Sequence, residues 1–504
     1  MEAVAIGSEV LLWGMRVMNG QMKRSPRIAV IGAGMSGILS AIKLQEAGIA
    51  DFTIYEKANR LGGTWRDNTY PGLCCDVPSH MYRYSFEPNA EWSHHFSPGA
   101  EIQAYFEAVA RKYKVENFIK YNSEITRARY QDRKWHIEQG EETLDVVDII
   151  ISAAGVLHHP VYPDIDRVDD FAGAVFHSAR WDHGVPLDGK RIGIIGTGST
   201  AVQITDDLID KVSHLSLFQR TAQWIFPQEN PAFTEQEKQV FRDQPEAMDE
   251  LHASLTHLFA DTFGRAVIGD KEQMQRVEDT CRANLEDNVR DPELRAKLTP
   301  DYQAACKRLI ISPGFYQAIQ KPNAELVTQP IDRVEAGGVR TRDGRLHGMD
   351  VLVLATGFDG HSFMRPMDLI GRDGVDLKDV WAETTQAHRS ISLPGFPNYF
   401  MLVGPNSPIG NFSLIDISER QLSYIMQLIE LWRGGEVNEI SARQDAADRF
   451  NASIKAAMGN TVWVTGCQSW YLDKHGNPAM WPFTFDKFCA DMSAPDLEEY
   501  ELVS

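Results

Sequence analysis

Three glycines follow a short apolar run near the start of the chain, in the segment RIAVIGAGMSG. Gly32, Gly34 and Gly37 come directly after the run Ile28–Ile31, and a helix-like segment follows them. Glycines at this spacing allow a tight turn and let backbone N–H groups approach a pyrophosphate at a helix N-terminus. Glu56 lies 24 residues after Gly32, where a carboxylate can accept hydrogen bonds from a ribose. The segment therefore predicts a binding turn for FAD or NAD.

A second copy of this pattern lies in KRIGIIGTGSTAVQ, where Gly196, Gly198 and Ala201 repeat the turn. The residue 24 positions after Gly196 is Arg220 instead of an acid. A carboxylate would repel a 2′-phosphate, whereas a guanidinium can bind it through two hydrogen bonds. The second turn is therefore predicted to bind NADP, with a solvated strand-end cation as the alternative for Arg220. The residues predicted to bind this cofactor are Gly196, Gly198, Ser199, Thr200, Arg220 and Thr221.

Each glycine turn has a later partner strand that ends in small residues. VVDIIISAAG ends at Gly155, and DVLVLATGF contains Ala355, Thr356 and Gly357, which are also predicted to contact a cofactor. Such strands can bring the backbone close to a dinucleotide at the carboxyl edge of a parallel sheet. From the order turn, strand, turn, strand we predict an α/β fold with two Rossmann-like dinucleotide-binding domains, the second inserted in the first.

The stretch between Asn230 and Pro300 is acid-rich and helix-like, with Leu251, Leu255 and Leu258 at helical spacing. We predict a helical insertion that covers the active site. The predicted boundaries are residues 1–24 for an N-terminal extension, 25–160 and 361–504 for the FAD-binding domain, 161–228 and 301–360 for the NADP-binding domain, and 229–300 for the helical insertion.

Composition excludes several classes of protein. The net charge of −20 argues against a nucleic-acid partner, and no apolar run reaches the roughly 18–20 residues of a membrane span. The six cysteines have neither metal-ligand spacing nor the density of a disulfide scaffold. We therefore expect no metal, no membrane contact, a reduced cytoplasmic setting, and a monomer or homodimer.

Two longer motifs carry a resemblance to a known family. FAGAVFHSARWD, Phe171 to Asp182, has the form FxGxxxHxxxW[PD] and lies between the two glycine turns. GGTWRDNTYPGLCCD, Gly62 to Asp76, matches GGxWxxxxYPGxxxD, and the short motifs ATGF and QRT agree with both. The chain resembles the type I Baeyer–Villiger branch of the flavin monooxygenase superfamily over nearly its whole length.

This resemblance implies a defined chemistry. NADPH would reduce FAD, O₂ would be captured as a peroxyflavin, and attack on a ketone would give an ester or lactone, with sulfoxidation as a side activity. The expected partners are a small ketone or sulfide and O₂. The alternatives are a monooxygenase that oxygenates nitrogen or sulfur and a flavoprotein that binds FAD without catalysis. A disulfide reductase is disfavoured because the chain has no CxxC or CxxxxC pair.

The resemblance also assigns roles within YQAACKRLIISPGFYQAI. The family places a Lys–Arg pair before a Gly–aromatic–Tyr triplet, and here Lys307 and Arg308 precede Gly314. Arg308 would stabilise anionic oxygen, Lys307 would reach the NADP phosphate, and Asp76 would orient the Arg308 guanidinium. A surface Lys–Arg pair and a loop-capping Asp76 are the alternatives. The predicted catalytic residues are Arg308 and Asp76.

The FxGxxxHxxxW motif is expected to have mainly a structural role. By resemblance, Phe171, Gly173, His177 and Trp181 lie in the segment that links the two nucleotide domains. His177 and Trp181 would hold this linker, and a direct catalytic contribution by His177 is the less favoured interpretation.

The motif that ends at Asp76 is expected to surround the flavin. Trp65, Thr64 and Tyr70 would line or pack on its ring, and Cys74 stands where the family commonly has an arginine. This departure leaves the charge balance beside the flavin, and so the substrate, open. The residues predicted to bind the first cofactor are Gly32, Gly34, Gly37, Glu56, Gly63, Thr64, Trp65, Asp76 and Tyr82.

The C-terminal region is rich in aromatic residues, namely Trp463, Trp470, Tyr471, Trp481 and Phe483. At such density aromatic side chains more often form a core or a subunit contact than a pocket. We therefore expect a packing role for this region and infer no substrate from it.

Overall fold

The structure, a computed structural model, describes residues 23–504, so most of the extension predicted for residues 1–24 lies outside the described residues. The first glycine turn belongs to a sheet of five parallel strands. In order across the sheet these are Tyr399–Met401, Ile149–Ser152, Ile28–Ile31, Phe52–Tyr55 and Ile119–Lys120. Strands covered on both faces need apolar side chains throughout, which explains the unbroken aliphatic runs in the sequence.

The second glycine turn belongs to a second sheet of five parallel strands. In order these are Ala324–Val327, His214–Phe218, Arg191–Ile195, Val351–Leu354 and Ala174–His177. All five lie in the chain between two neighbouring strands of the first sheet, Ile149–Ser152 and Tyr399–Met401. The second domain is therefore inserted in the first, and the predicted fold class is confirmed. The predicted domain boundaries stay a prediction.

Smaller elements surround the two sheets. A four-stranded sheet contains Asp368–Ile370, Arg127–Gln131, Lys134–Gln139 and Glu142–Val147, and a three-stranded sheet contains Ile331–Glu335, Gly338–Thr341 and Leu346–Gly348. Two-stranded sheets pair Ile225–Phe226 with Ile310–Ile311 and Glu439–Ala442 with Tyr500–Val503. The α-helices outside the insertion are Met35–Glu46, Thr64–Asp67, Gly99–Lys112, Ser199–Leu208, Phe315–Ala318, Leu377–Val380, Leu414–Arg433, Gln444–Met458 and Phe485–Asp491. Short 3₁₀ helices occupy Val115–Phe118, Val168–Asp170, Ser178–Arg180, Arg372–Gly374, Val462–Val464 and Leu497–Glu499.

Close backbone approach explains the glycines of both turns. Gly32 has a φ of +101°, and a Cβ there would lie 2.7 Å from the carbonyl oxygen of Ala153, at the end of the neighbouring strand. Gly196 has a φ of +119°, and a Cβ there would lie 2.2 Å from the carbonyl oxygen of Ala355. Each turn therefore sits against its own partner strand, AAG or ATG, and only glycine fits.

The FxGxxxHxxxW motif is part of the second sheet and not a free linker. Its strand Ala174–His177 forms the sheet edge, beside the strand that ends in ATGF. A Cβ on Gly173 would lie 2.3 Å from the carbonyl oxygen of Asp350 and 2.6 Å from the Phe171 ring. The spacing of Phe and Gly in the motif therefore follows from packing, because the ring lies over a residue that has no side chain.

The part of the chain between the earlier and the later strands of the second sheet is helical, as the sequence predicts. Its α-helices are Glu235–Asp243, Pro245–Phe259, Arg265–Val267, Lys271–Asn288 and Pro292–Leu298, with a π-helical segment at Ala260–Gly264. Thr234 and Glu237 form a capping box at the first helix, and Asp270 and Asp291 cap two later ones. Within residues 23–504, every helix is too short or too polar to cross a membrane.

Candidate active site

Both glycine turns open into one cavity of about 1120 Å³. The predicted site residues that line it are Gly32, Gly34, Glu56, Gly63, Thr64, Trp65, Asp76, Tyr82, Gly198, Ser199, Thr200, Arg308, Ala355 and Gly357. The predicted residues that are not part of its wall are Gly37, Gly196, Arg220, Thr221, Lys307 and Thr356. A single chamber therefore joins the two nucleotide turns to the predicted catalytic pair.

The first turn offers free hydrogen-bond donors and a buried carboxylate. The helix Met35–Glu46 begins at Gly34 without a side-chain cap, so its first N–H groups can bind an anion. The Glu56 side chain is almost fully buried and accepts hydrogen bonds from the N–H groups of Ala33 (2.8 Å) and Ala58 (2.9 Å). These bonds fix the carboxylate at the cavity wall, in a position that suits a ribose.

Arg66 is a neighbour of Glu56 that sequence reasoning missed. Its Nη1 donates to Glu56 Oε1 at 2.9 Å, and its Nε donates to Asp67 at 2.8 Å. Burial alone would lower the pKa of Arg66, but the two carboxylates raise it overall. Arg66 lies within the GGxWxxxxYPGxxxD motif, at a position that the motif leaves unspecified, so no local pattern marks it.

The second turn has the same free helix start and a pair of cations. The helix Ser199–Leu208 begins at Gly198 without a side-chain cap. Lys307 and Arg220 come close enough that Arg220, after burial, lowers the pKa of Lys307. Neither side chain forms an ion pair with any residue of the described range 23–504. Asp301 acts on the pKa of Lys307 in the opposite direction, without forming an ion pair with it. Two neighbouring cations that are not in ion pairs are suited to bind a phosphate group.

Two threonines of the predicted set are engaged within the protein. The Thr356 hydroxyl donates to the carbonyl oxygen of Val161 at 2.5 Å, and the carbonyl oxygen of Thr221 accepts from the Thr197 hydroxyl at 2.9 Å. These contacts hold the turns after two strands of the second sheet. The structure therefore gives both threonines a structural contact, and their assignment to cofactor binding stays a prediction.

Arg308 and Asp76 form an ion pair at the cavity wall. Asp76 Oδ2 accepts from Arg308 Nε at 2.8 Å and from Nη2 at 2.5 Å. Burial opposes the charge of Arg308, yet Asp76 and Tyr471 raise its pKa overall. The arginine therefore presents a permanent positive charge to a chamber that both nucleotide turns share.

The loop before Asp76 also joins the two domains. The Tyr70 hydroxyl donates to the Gln203 side chain at 3.0 Å, and Gln203 donates to the carbonyl oxygen of Cys74 at 3.1 Å. Trp65 donates from its indole nitrogen to the Tyr82 hydroxyl at 3.1 Å. Cys74 thus occupies the position of the family arginine as part of a domain contact.

Cys74 and Cys75 are free thiols in this structure. Burial and the nearby Asp76 raise the pKa of Cys74 to about 11, and burial raises the pKa of Cys75 well above its ordinary value. Since the thiolate is the reactive form, these shifts disfavour reaction at either sulfur.

His177 and Trp181 are buried beside the second sheet. His177 Nδ1 accepts from the N–H of Ala179 at 3.1 Å and caps the 3₁₀ helix Ser178–Arg180. Its ring packs against Tyr162 and Phe358 and does not line the cavity. This geometry favours the packing interpretation of His177 over direct catalysis.

The expectation of reduced cysteines is wrong, and the expected packing role of the aromatic C-terminal region is confirmed except that part of it also reaches the cavity. Cys306 and Cys467 form a disulfide, although the sequence indicated reduced cysteines. The two residues are 161 positions apart, so no spacing rule could pair them. Trp470 lines the cavity and Tyr471 packs beside Arg308, so the aromatic region is not only core. Trp463 and Trp481 are buried in the core, as expected.

The geometry defines a class of protein. Each turn combines a glycine that a Cβ would crowd, an uncapped helix start and a polar group at the far end of its second strand. The residues present therefore fit two dinucleotides, and the assignment of Glu56 to one and of Arg220 and Lys307 to the other stays a prediction. A fixed cation at the chamber between them is the arrangement of a two-dinucleotide oxidoreductase.

Comparison with known proteins refines this class. The model of the flavin-binding monooxygenase-like family matches residues 25–232. An uncharacterized monooxygenase of Mycobacterium tuberculosis is 49% identical over 95% of this chain and 96% of its own length. A Baeyer–Villiger monooxygenase of Streptomyces coelicolor is 38% identical over 96% of this chain and 94% of its own length. The crystal structure of OTEMO with FAD and NADP superposes with a TM-score of 0.85 at 26% identity, covering 95% of this chain and 100% of OTEMO.

The chain belongs to the flavin-binding monooxygenase family, in its Baeyer–Villiger branch. The family expected from the FxGxxxHxxxW and GGxWxxxxYPGxxxD motifs is thereby confirmed.

Proposed function

We propose that this protein is an NADPH- and O₂-dependent flavin monooxygenase that converts a ketone to an ester or lactone. The observation that carries the proposal is the Arg308–Asp76 ion pair at the wall of a chamber shared by both nucleotide turns. Two relatives named Baeyer–Villiger monooxygenases, at 38% and 35% identity, support it. Sulfoxidation is proposed as a side activity of the same site.

FAD and NADP(H) are its cofactors, as in the OTEMO complex. Gly32, Gly34 and Glu56 would hold FAD at the first turn, and Arg220 with Lys307 would hold the 2′-phosphate of NADP at the second. When bound, FAD reduced by NADPH supplies the activation of O₂, which no side chain of this chamber can supply.

The role of Arg308 in the reaction is electrostatic. Oxygen transfer to a ketone places negative charge on the carbonyl oxygen as its carbon becomes tetrahedral, and a fixed guanidinium stabilises that charge. At about 4 Å and an effective dielectric constant near 20, one charge pair is worth about 4 kcal/mol, or about 10³ in rate. Asp76 holds the guanidinium at the wall through its Oδ2.

The helical insertion contributes the apolar part of the chamber. Leu251, Leu255 and Phe259 from the helix Pro245–Phe259 line the cavity, together with Val277 from the helix Lys271–Asn288. Apolar side chains here exclude water from the reacting centre, which strengthens every electrostatic interaction within it. We propose that this insertion also shapes the ketone site.

The domain boundaries, the cellular location, the oligomeric state and the partner of the protein are also proposals. Residues 25–160 and 361–504 are assigned to the FAD-binding domain, 161–228 and 301–360 to the NADP-binding domain, and 229–300 to the insertion. We propose that the protein acts in the cytoplasm as a monomer or homodimer on a small molecule. The net charge of −20 and the sequence relatives support a small-molecule partner over a nucleic acid.

The Arg308→Ala variant tests the proposal most directly. Purified wild-type protein and the variant are each supplied with NADPH, O₂ and a panel of ketones. The rate of ester formation is expected to be at least about 10²-fold lower in the variant, because the variant lacks the cation. Reduction of the flavin by NADPH should be unchanged, and the electrons should appear as hydrogen peroxide. Product mass, NADPH consumption and peroxide release are the measurements.

Arg449→Ala is the matched control, because Arg449 is an exposed helix residue paired with Asp445. It should behave as the wild type. Full ester formation by Arg308→Ala would refute the assignment of Arg308. If the wild type oxygenates sulfides and amines but no ketone, the nitrogen- or sulfur-oxygenating function replaces the one proposed here.

A further inference from the structure

Tyr471 is a buried aromatic residue on the loop formed by residues 467–484, here called the aromatic loop. Its ring is held between Trp470, with a centroid distance of 4.5 Å, and Trp463, with a centroid distance of 6.2 Å. Its backbone carbonyl accepts from the N–H of Ala479 at 2.9 Å. The phenol therefore has one defined position.

The Tyr471 hydroxyl meets the free nitrogen of Arg308. Asp76 engages Arg308 at Nε and Nη2, which leaves Nη1. A Cβ placed on Gly410 would lie 3.3 Å from this Nη1 and 2.7 Å from the Tyr471 hydroxyl oxygen, so the two groups share the space above Gly410. The two groups are close enough that the Arg308 charge acts to lower the pKa of Tyr471, against the effect of burial.

The phenol stays neutral in this position. Burial raises the pKa of Tyr471, although the Arg308 charge works in the opposite direction. A neutral phenol keeps lone pairs on its oxygen, so it can accept a hydrogen bond from Nη1.

The contact supplies a restraint that Asp76 alone does not provide. Both hydrogen bonds from Arg308 to Asp76 end on the same carboxylate oxygen, Oδ2. A guanidinium bound to both oxygens of a carboxylate is fixed in its plane, whereas one bound to a single oxygen can rock about it. A hydrogen bond from Nη1 to the nearby Tyr471 hydroxyl would remove this freedom.

A covalent link joins the same two segments. The Cys306–Cys467 disulfide connects the residue two positions before Arg308 to the residue four positions before Tyr471. Both half-cystines are buried. The segment that carries Arg308 and the aromatic loop are therefore joined covalently close to the place where the Tyr471 hydroxyl and Arg308 Nη1 lie next to each other.

We propose that Tyr471 is a positioning residue for Arg308 and that the Cys306–Cys467 disulfide keeps Tyr471 in place. The proposal rests on the function proposed above for Arg308. The Tyr471 hydroxyl holds Nη1, so that the guanidinium faces the chamber in one orientation when charge develops on the substrate.

The Tyr471→Phe variant tests this role because it removes only the hydroxyl. The kcat for ester formation should fall about 10- to 100-fold, as expected for a misplaced catalytic group, while KM for ketone and for NADPH changes less than about twofold. Flavin reduction should be unchanged, with a larger share of NADPH oxidation ending as hydrogen peroxide.

Tyr316→Phe is the matched control. Tyr316 is also a buried tyrosine, and its hydroxyl has no hydrogen-bond partner among the described residues. This variant should retain wild-type kcat and KM. A Tyr471→Phe enzyme with wild-type kcat would overturn the proposal, as would an increase in ketone KM at unchanged kcat, which indicates substrate contact instead of positioning.

The role of the disulfide can be tested by experiments that do not depend on enzyme turnover. Alkylation of the denatured, unreduced protein should label four of the six cysteines, namely Cys74, Cys75, Cys281 and Cys489. In Cys467→Ser, limited proteolysis should cut the aromatic loop faster than in wild type, whereas Cys489→Ser should not differ. Six labelled cysteines, or equal cleavage in both variants, would overturn the role of the disulfide.

A double variant separates the possible failures. If the disulfide acts through Tyr471, the kcat of Cys467→Ser with Tyr471→Phe should equal that of Tyr471→Phe alone. Multiplicative effects would show two independent roles and overturn the coupling. If wild-type enzyme forms no ester, the proposed function fails, and thiol labelling with proteolysis still decides whether the loop is clamped. If wild type forms ester and Tyr471→Phe equals it, only the positioning role fails.

Discussion

Arg220 and Lys307 are two cations close enough for the charge of Arg220 to lower the pKa of Lys307, and no carboxylate of residues 23–504 forms an ion pair with either. Each would be more stable with an anion nearby, since like charges at short distance repel and burial penalises the charge of Lys307. The most natural anion at the end of the second strand is the 2′-phosphate that distinguishes NADPH from NADH. The preference for one nicotinamide cofactor can thus be tested at a single side chain.

For Arg220→Ala we expect KM for NADPH to increase about 10- to 100-fold, which corresponds to the loss of a charged hydrogen bond of roughly 1.5–3 kcal/mol. KM for NADH should change little, because NADH has no phosphate at this position. Steady-state NADPH and NADH oxidation would be compared in both proteins. Arg342→Ala, at an exposed arginine of the same domain, serves as control. Parallel changes for both cofactors would contradict the phosphate assignment.

At the residue scale, the sequence predicts groups that belong to continuous motifs and misses those that meet only in the fold. Arg308 and Asp76 were found because each lies in a recognisable segment, and the structure brings them together across 232 positions. Tyr471 and Cys467 lie in a segment to which the sequence assigns no chemical role, and Cys306, although it directly precedes Lys307, has no partner at a recognisable spacing. Their function depends on which segment packs against them, and composition carries no such information.

Among the elements, the strand–turn–helix around Gly32 has the least tolerance for change. The turn approaches the carbonyl of Ala153 so closely that a Cβ would lie 2.7 Å from it, and φ is +101°. Two separate penalties therefore act on any other residue, backbone strain and collision with the neighbouring strand. Relief of the collision would move the helix start away from the pyrophosphate position.

Gly32→Ala is expected to abolish stable flavin binding. Purified protein should contain less than about one tenth of the wild-type flavin, since both penalties together cost several kcal/mol. The ratio of flavin absorbance to protein absorbance measures the flavin content. Gly48→Ala is an informative control, because Gly48 also has a positive φ of +70° but nothing within 4 Å of its Cβ position. If both variants lose flavin equally, strain and not close approach is responsible.

Both parallel sheets and the helical insertion could be predicted, because glycine turns, aliphatic runs and helical spacing are local signals. The edge strand Ala174–His177 was predicted as a linker instead, because its sequence lacks a long aliphatic run. Packing over Gly173 and pairing with Val351–Leu354 make it a strand. Tertiary pairing thus overrides a weak local pattern.

Across the whole molecule, the helical insertion is fastened to the FAD-binding domain around His80. This side chain is 1% exposed, packs against Phe233 and Phe241, and has no hydrogen-bond partner within residues 23–504. Burial, followed by the charges of Arg83 and its histidine neighbours, lowers the pKa of His80 to about 4. Protonation of His80 therefore weakens the contact between the helical insertion and the FAD-binding domain.

The stability of the protein should decrease in mild acid. Because the pKa of His80 is lower in the folded than in the unfolded state, the unfolded chain binds more protons between about pH 6.5 and pH 4. The contribution of His80 to the free energy of unfolding is complete above pH 6.5. It is lost as the pH falls toward 4, by roughly 3 kcal/mol in total. His80→Phe should reduce the acid dependence of the melting temperature between pH 7.5 and 5. The exposed His257→Phe is the control, and an equal effect of both variants would contradict this prediction.

The insertion of one domain in the other has a consequence for the order of events during synthesis. The first sheet lacks its strand Tyr399–Met401 until that segment leaves the ribosome, long after Ile149–Ser152 has emerged. At about 5–20 residues per second, the roughly 250 residues between them take on the order of 10–50 s. During this interval the NADP-binding domain can already collect all five strands of its sheet, while the FAD-binding domain exposes an unpaired apolar edge. A nascent chain stalled before residue 399 is therefore expected to be a substrate for chaperones.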